Sequence, residues 1–111
     1  MDEAACVVMI TAPNKEEAER LAIATLEARL AACVQIQAIT SHYWWDGKIT
    51  SDAEQLLLIK TMPAKFAALR ELITSLHSYD TPEIIQLPVT AGAEKYLGWL
   101  RREVATDSPG R

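Results

Sequence analysis

The pair Asp46-Gly47 and the two long arms beside it constrain this chain most. An Asp-Gly pair tolerates the positive φ angles of a two-residue hairpin turn. Before it, Ala32 to Trp45 reads as extended, with β-branched Val34, Ile36, Ile39 and Thr40. After it, the return strand runs from Lys48 to about Met62, and continuously apolar Leu56–Ile59 places its second half centrally in a sheet. Each arm is about 13–15 residues, against the 3–10 usual for globular strands. At ~3.3 Å per residue that is roughly 40–50 Å, whereas a domain of this size has a radius of gyration near ~13 Å. The tip must therefore project beyond the sheet or bend at a bulge. It carries Tyr43, Trp44 and Trp45. Three large aromatics on a projecting ribbon invite aggregation unless something covers them. The expectation is a homo-oligomer joined along this ribbon; the alternative is that the aromatics fold back onto the chain's own helices.

The remaining elements follow from period and punctuation. Residues 4–12, AACVVMITA, fit a strand buried on both faces, ended by Pro13. Asn14 reads as an N-cap and Glu17 completes something close to a capping box. A helix from about Lys15 to about Leu30 would turn Ala18, Ala22, Leu26 and Leu30 inward. Pro63 opens a second helix, with Phe66, Leu69, Ile73 and Leu76 on one face. His77 to Pro82 is a loop, Glu83–Leu87 a short strand stopped by Pro88, and Ala93–Val104 a closing helix. The tail, Thr106–Arg111, is expected to fray. The order β-α-β-β-α-β plus a helix is the ferredoxin-like pattern, an α+β fold with helices on one face of an antiparallel sheet. Nothing in the 111 residues marks an internal linker or repeat, so residues 1–111 read as a single domain.

Half the residues are apolar, enough for a core, and 11 Lys+Arg against 15 Asp+Glu give a net charge of −4. That balance argues against nucleic acid, which calls for a basic stripe, and against an anionic membrane surface. No apolar run approaches the ~18 residues of a membrane span, and acidic Asp2 and Glu3 stand where a signal peptide needs positive charge. A cytoplasmic protein is expected. Cys6 and Cys33 form no C-x-x-C and read as reduced thiols.

Motifs for covalent catalysis, phosphate loops and dinucleotide binding are absent; Gly47, Gly92, Gly98 and Gly110 are scattered. No nucleophile–base pair is evident, so an enzyme is not expected. Metal-ligating residue types occur at Cys33, His42, Glu54, His77, Asp80 and Glu83, none at helical metal spacing. Each has a plainer reading: Cys33 as a small buried hydrophobe, His77 against the last carbonyls of a helix, Glu83 as an edge residue after Pro82; Glu54 is either solvent-facing by alternation or held in a cleft. Lys60, amid apolar residues, could pair with any of these acids.

Six motifs stand in order along the chain: Ala31-Ala32-Cys33-Val34, Tyr43-Trp44-Trp45-Asp46-Gly47-Lys48-Ile49, Lys60-Thr61, His77-Ser78-Tyr79-Asp80-Thr81-Pro82-Glu83-Ile84-Ile85, Leu87-Pro88-Val89 and Tyr96-Leu97-Gly98-Trp99-Leu100. Together they resemble the CutA divalent-cation-tolerance family. The resemblance covers about residues 6–102. It implies a ferredoxin-like homotrimer, similar in architecture to PII signalling proteins, and a role in tolerance to divalent cations, copper above all. It places the metal ligands on Cys33, Glu54 and His77. It also leaves room for a signalling trimer with an unidentified signalling partner, binding a small anionic ligand in subunit clefts lined by Lys60, Glu83 and Tyr96. The family commonly has His-Pro-Tyr where this chain has His77-Ser78-Tyr79; without the proline the loop backbone is expected to be freer. Ile10 and Leu72 stand where some members carry further cysteines, so copper here implies a mixed N/O/S site.

Overall fold

The computed structural model describes residues 4–105; the tail expected to fray lies outside them. The elements are β1 (Cys6–Ala12), α1 (Lys15–Glu27), β2 (Cys33–Trp45), β3 (Lys48–Thr61), a 3₁₀ turn (Pro63–Lys65), α2 (Phe66–Leu76), β4 (Ile84–Pro88) and α3 (Glu94–Ala105). The strands form one antiparallel sheet in the order β2-β3-β1-β4, which is the α+β, ferredoxin-like arrangement.

Asp46 and Gly47 take φ of 53° and 76°, the left-handed pair of a type I′ turn. From there the ladder runs unbroken from Trp45↔Lys48 to Cys33↔Lys60. No bulge bends the arms, so the tip projects, and the longest dimension of the molecule is 46 Å. β1 accompanies β3 only as far as Ala12↔Gln55. Beyond that point β2 and β3 continue alone as a two-stranded ribbon.

Alternation sorts the sheet into two faces. Cys6, Val8 and Ile10 of β1 and Leu57 and Ile59 of β3 are buried with Ala18, Leu21, Leu69 and Ile73 from α1 and α2. The opposite face is less covered: Val7 and Met9 are half-buried, and Ile85 and Leu87 are exposed. β1 is thus central, as its composition implies, yet only one of its faces is closed. Nor do all helices share a face. Leu100 and Val104 of α3 pack with Ala5 and Met62, whose alternation puts them opposite Val8 and Ile59, so α3 caps one end of the second face.

α1 ends three residues before Leu30. The Leu30 N–H bonds the Thr25 carbonyl at 3.0 Å and the Arg29 N–H bonds that of Leu26 at 3.0 Å, with Arg29 at φ 60°. This is a Schellman ending with arginine in the place glycine usually takes. The Arg29 guanidinium donates to the Glu103 carbonyl at 3.1 Å and to its carboxylate at 2.9 Å, contacts that favour the left-handed geometry and tie α1 to α3. The shorter helix turns Leu21 and Thr25 inward with Ala18 and Ala22, while Leu26 is exposed. The capping box is half formed. Asn14 accepts from the Glu17 N–H at 2.8 Å, but the Glu17 side chain points elsewhere.

Candidate functional site

Where β1 stops, a cavity of about 640 Å³ opens between the ribbon and the loop after α2. Even-numbered residues of β3 and odd-numbered residues of β2 line its ribbon wall: Asp52, Glu54, Ser41, Tyr43 and Trp45. Tyr79, Asp80, Thr81 and Glu83 form the opposing wall, with Thr11 at the end of β1. Four carboxylates and His42 therefore border it, and among the described residues no lysine or arginine does.

Glu54 is the first β3 residue past the end of β1, and it is only 7% exposed. Tyr79 roofs it, donating its hydroxyl to Glu54 Oε2 at 2.6 Å. Burial, then this bond and the Glu54 charge, push the Tyr79 phenol well above the usual tyrosine range, so it stays a donor. A second such pair stands nearby, Tyr43 donating to Asp52. That bond, foremost, raises the Tyr43 phenol. The Ser51 hydroxyl lies 2.6 Å from Nδ1 of His42, a further residue of the cavity lining.

Behind this wall is a buried polar network that holds the loop. The His77 side chain is wholly buried. Its Nε2 donates to the Thr11 carbonyl at 2.7 Å, and its Nδ1 accepts the Tyr79 N–H at 3.0 Å. Both ring nitrogens are therefore engaged. Nδ1 also lies 3.3 Å from Glu17 Oε2. That oxygen accepts the Ser78 N–H at 2.9 Å and the Ser78 hydroxyl at 3.0 Å. Burial by itself raises the Glu17 carboxyl; the two Ser78 bonds, with His77 and Arg20 behind them, outweigh it and hold the group below its usual range. A proline at position 78 would have neither donor. The freer loop expected from Ser78 is instead a tethered one, because serine supplies two hydrogen bonds where proline supplies stiffness.

The structure links two of the three residues implied as metal ligands and separates the third. Glu54 and His77 meet through Tyr79, by its hydroxyl and its N–H respectively. Cys33 pairs with Lys60, six positions along β3 from Glu54, or about 20 Å at the rise of a strand. Among the described residues no three His, Cys, Asp or Glu converge as a metal ion requires. The proposed ligand cleft divides as well: Lys60 Nζ sits 5.8 Å from the Tyr96 ring, while Glu83 borders the acidic cavity at the other end of β4. The aromatics do not fold back. Trp44 is 71% exposed, Trp45 65% and Tyr43 37%. Sequence reasoning missed Asp52, Tyr79 and Glu17. Asp52 was within reach of strand parity, being two residues from Glu54; the Tyr79 and Glu17 contacts link residues 25 and 61 positions apart and leave no local signal.

The family model described as "CutA1 divalent ion tolerance protein" matches residues 6–103. The chain belongs to the CutA1 family. It is 50% identical over 96 residues to the rice protein CutA 1, chloroplastic, covering 86% of this chain and 54% of that one. It is 44% identical over 97 residues to the divalent-cation tolerance protein CutA of Archaeoglobus fulgidus, covering 87% and 95%. The chain thus spans about half the length of the plant relative and nearly all of the archaeal one. Among solved structures, rice CutA1 superposes with a TM-score of 0.88 at 47% identity, covering 91% of this chain and 94% of that one. The Archaeoglobus CutA structure also gives 0.88, at 43% identity and with 90% and 98% covered. These CutA1 structures share the architecture described above.

Proposed function

We propose that this chain is a divalent-cation tolerance protein that binds its cation, copper foremost, as a homotrimer joined along the ribbon. Membership of the CutA1 family over residues 6–103 carries the reading, and that family is named for tolerance to ions rather than for a reaction. Two observations support it. The cross-strand neighbours Trp44 and Ile49 stand 71% and 70% exposed at the tip, an apolar patch that association would cover. The cavity along the ribbon is bordered by four carboxylates and His42 and, among the described residues, by no lysine or arginine, a balance that attracts cations and disfavours an anionic ligand there.

One chain does not complete the metal site. Glu54 has the most available donor, since the hydrogen bond from Tyr79 falls on its Oε2. His77 becomes a ligand only if Nδ1 gives up the Tyr79 N–H or Nε2 the Thr11 carbonyl, and Cys33 only from a neighbouring copy. Light scattering should give about three times the 12.3 kDa chain mass at micromolar concentration. Calorimetric titration with copper should show binding that Glu54→Gln weakens at least tenfold. A monomeric mass overturns the assembly; no heat with copper overturns the ligand. Equal copper affinities for wild type and His77→Ala remove His77 from the site.

A further inference from the structure

Arg29 terminates two helices at once. Its backbone, at φ 60°, closes the Schellman ending of α1, in a conformation that residues with a Cβ resist. Its guanidinium reaches the last turn of α3, where it donates to the Glu103 carbonyl at 3.1 Å and to the Glu103 carboxylate at 2.9 Å. The last carbonyls of a helix have no partner within it, and a carboxylate beside them meets the negative end of the helix dipole. Arg29 offsets both, giving the carbonyl a donor and the carboxylate a positive charge. The two side chains are 35% and 41% exposed, so water can replace the contact. The other anchorage of α3 is small. Its buried side chains are Leu100 and Val104, which join Ala5 and Met62 in a cluster that shares no member with the main core. A segment held in this way can open while the core stays closed. Beside it lies the end of the second sheet face that carries Lys60 and Cys33. The Tyr96 ring stands 5.8 Å from Lys60 Nζ, Cys33 is the cross-strand neighbour of Lys60, and Ala32 packs against the α3 cluster.

We propose that α3 is a latch on this end of the sheet, held shut by Arg29 and released when the Arg29–Glu103 contact breaks. Opening uncovers Ala5, Met62 and the strand ends that carry Lys60 and Cys33, and leaves the core between the sheet, α1 and α2 in place. It also removes the contact that favours the left-handed backbone of Arg29, so the end of α1 loosens as α3 leaves. Two helix ends 74 positions apart are thereby coupled through one side chain.

Hydrogen exchange on the full chain, at several low urea concentrations, tests this. In the wild type, α3 amides and the Arg29 and Leu30 amides should exchange together, through an opening that depends weakly on urea. The amides of β1 and α2 should exchange at least tenfold more slowly, through one that depends strongly on it. Arg29→Gly separates the two roles of the residue, because glycine accepts the left-handed backbone and has no guanidinium. It should lower the protection of α3 at least fivefold and leave the amides of residues 29 and 30 protected. Arg29→Ala loses both roles and should lower protection in both places. Glu103→Gln keeps an acceptor without the charge and should act on α3 by a smaller factor than Arg29→Gly. Circular dichroism checks that each variant is folded. The proposal is overturned if wild-type α3 exchanges only with β1 and α2, including because a neighbouring copy clamps it. Unchanged α3 protection in Arg29→Gly, or joint loss at residues 29 and 30 in that variant, also overturns it.

Discussion

β2 and β3 pass through two different surroundings without changing partners. In the inner half, from Cys33↔Lys60 to Ala38↔Gln55, β1 flanks β3 and two helices close one face. In the outer half, from Ile39↔Glu54 to Trp45↔Lys48, each strand has only the other. Leu57 and Ile59 are fully buried, yet Trp44 and Ile49, with larger or equal apolar surface, stand mostly in water. The inner half is stabilised by its own chain. The outer half carries an uncovered apolar patch at its tip, Trp44 and Ile49, which the proposed assembly would cover.

The sharpest test of that contrast pairs two substitutions. Leu57→Ala should destabilise the fold by about 2–5 kcal/mol, as cavity-forming core changes do. Trp44→Glu should leave the secondary structure seen by circular dichroism intact while reducing the light-scattering mass to that of one chain. If Trp44→Glu unfolds the chain instead, the two halves are not separable.

The junction between the halves comes next. Ser78→Pro removes two donors from buried Glu17 and should cost about 1–3 kcal/mol, the usual penalty for a buried polar group left unsatisfied. The Glu17 carboxyl is lowered in the folded chain from 4.5, so its contribution is present above that pH and is lost as pH falls through the folded value. Glu17→Gln should therefore flatten the acid limb of a stability–pH curve. Tyr79 has the opposite sense: its phenol is raised from 10.0, so its contribution is present below pH 10 and is lost as pH rises toward the folded value. Tyr79→Phe should abolish that alkaline loss, with a cost at neutral pH of about 1 kcal/mol for the missing bond; chemical denaturation across pH measures both. The smallest effect belongs to the turn. Gly47 at φ 76° has open space around it, so Gly47→Ala meets backbone strain but no clash and should cost about 1 kcal/mol. A larger loss would show that the turn governs the ribbon more than its ladder does.

The inner half was the more legible in sequence. Period-two alternation, Asp46-Gly47 and the prolines define the strands to within a residue or two, because those signals are local. The end of α1 was misjudged because Arg29 adopts a left-handed conformation favoured by contacts with Glu103, 74 positions away. α3 was assigned to the helical face because alternation does not say which side of a sheet a later segment crosses. Of the site, Glu54, Asp80, Glu83 and His77 could be named as chemistry-bearing residues. Their grouping could not, since it depends on where β1 stops and on how Ser78 moors the loop to Glu17.

The point at which β1 ends has one more effect. Inside it, a slip of β2 against β3 by one residue would turn Val34 and Ile36 away from the core, so packing forbids it. Outside it the core gives no such hold and the two-residue turn at Asp46-Gly47 keeps the register, yet the strands are continuous. The hydrophobic interior thus acts as a vernier for the ribbon: it decides, from a distance, that Trp45 and Glu54 share one side while Trp44 and Ile49 share the other.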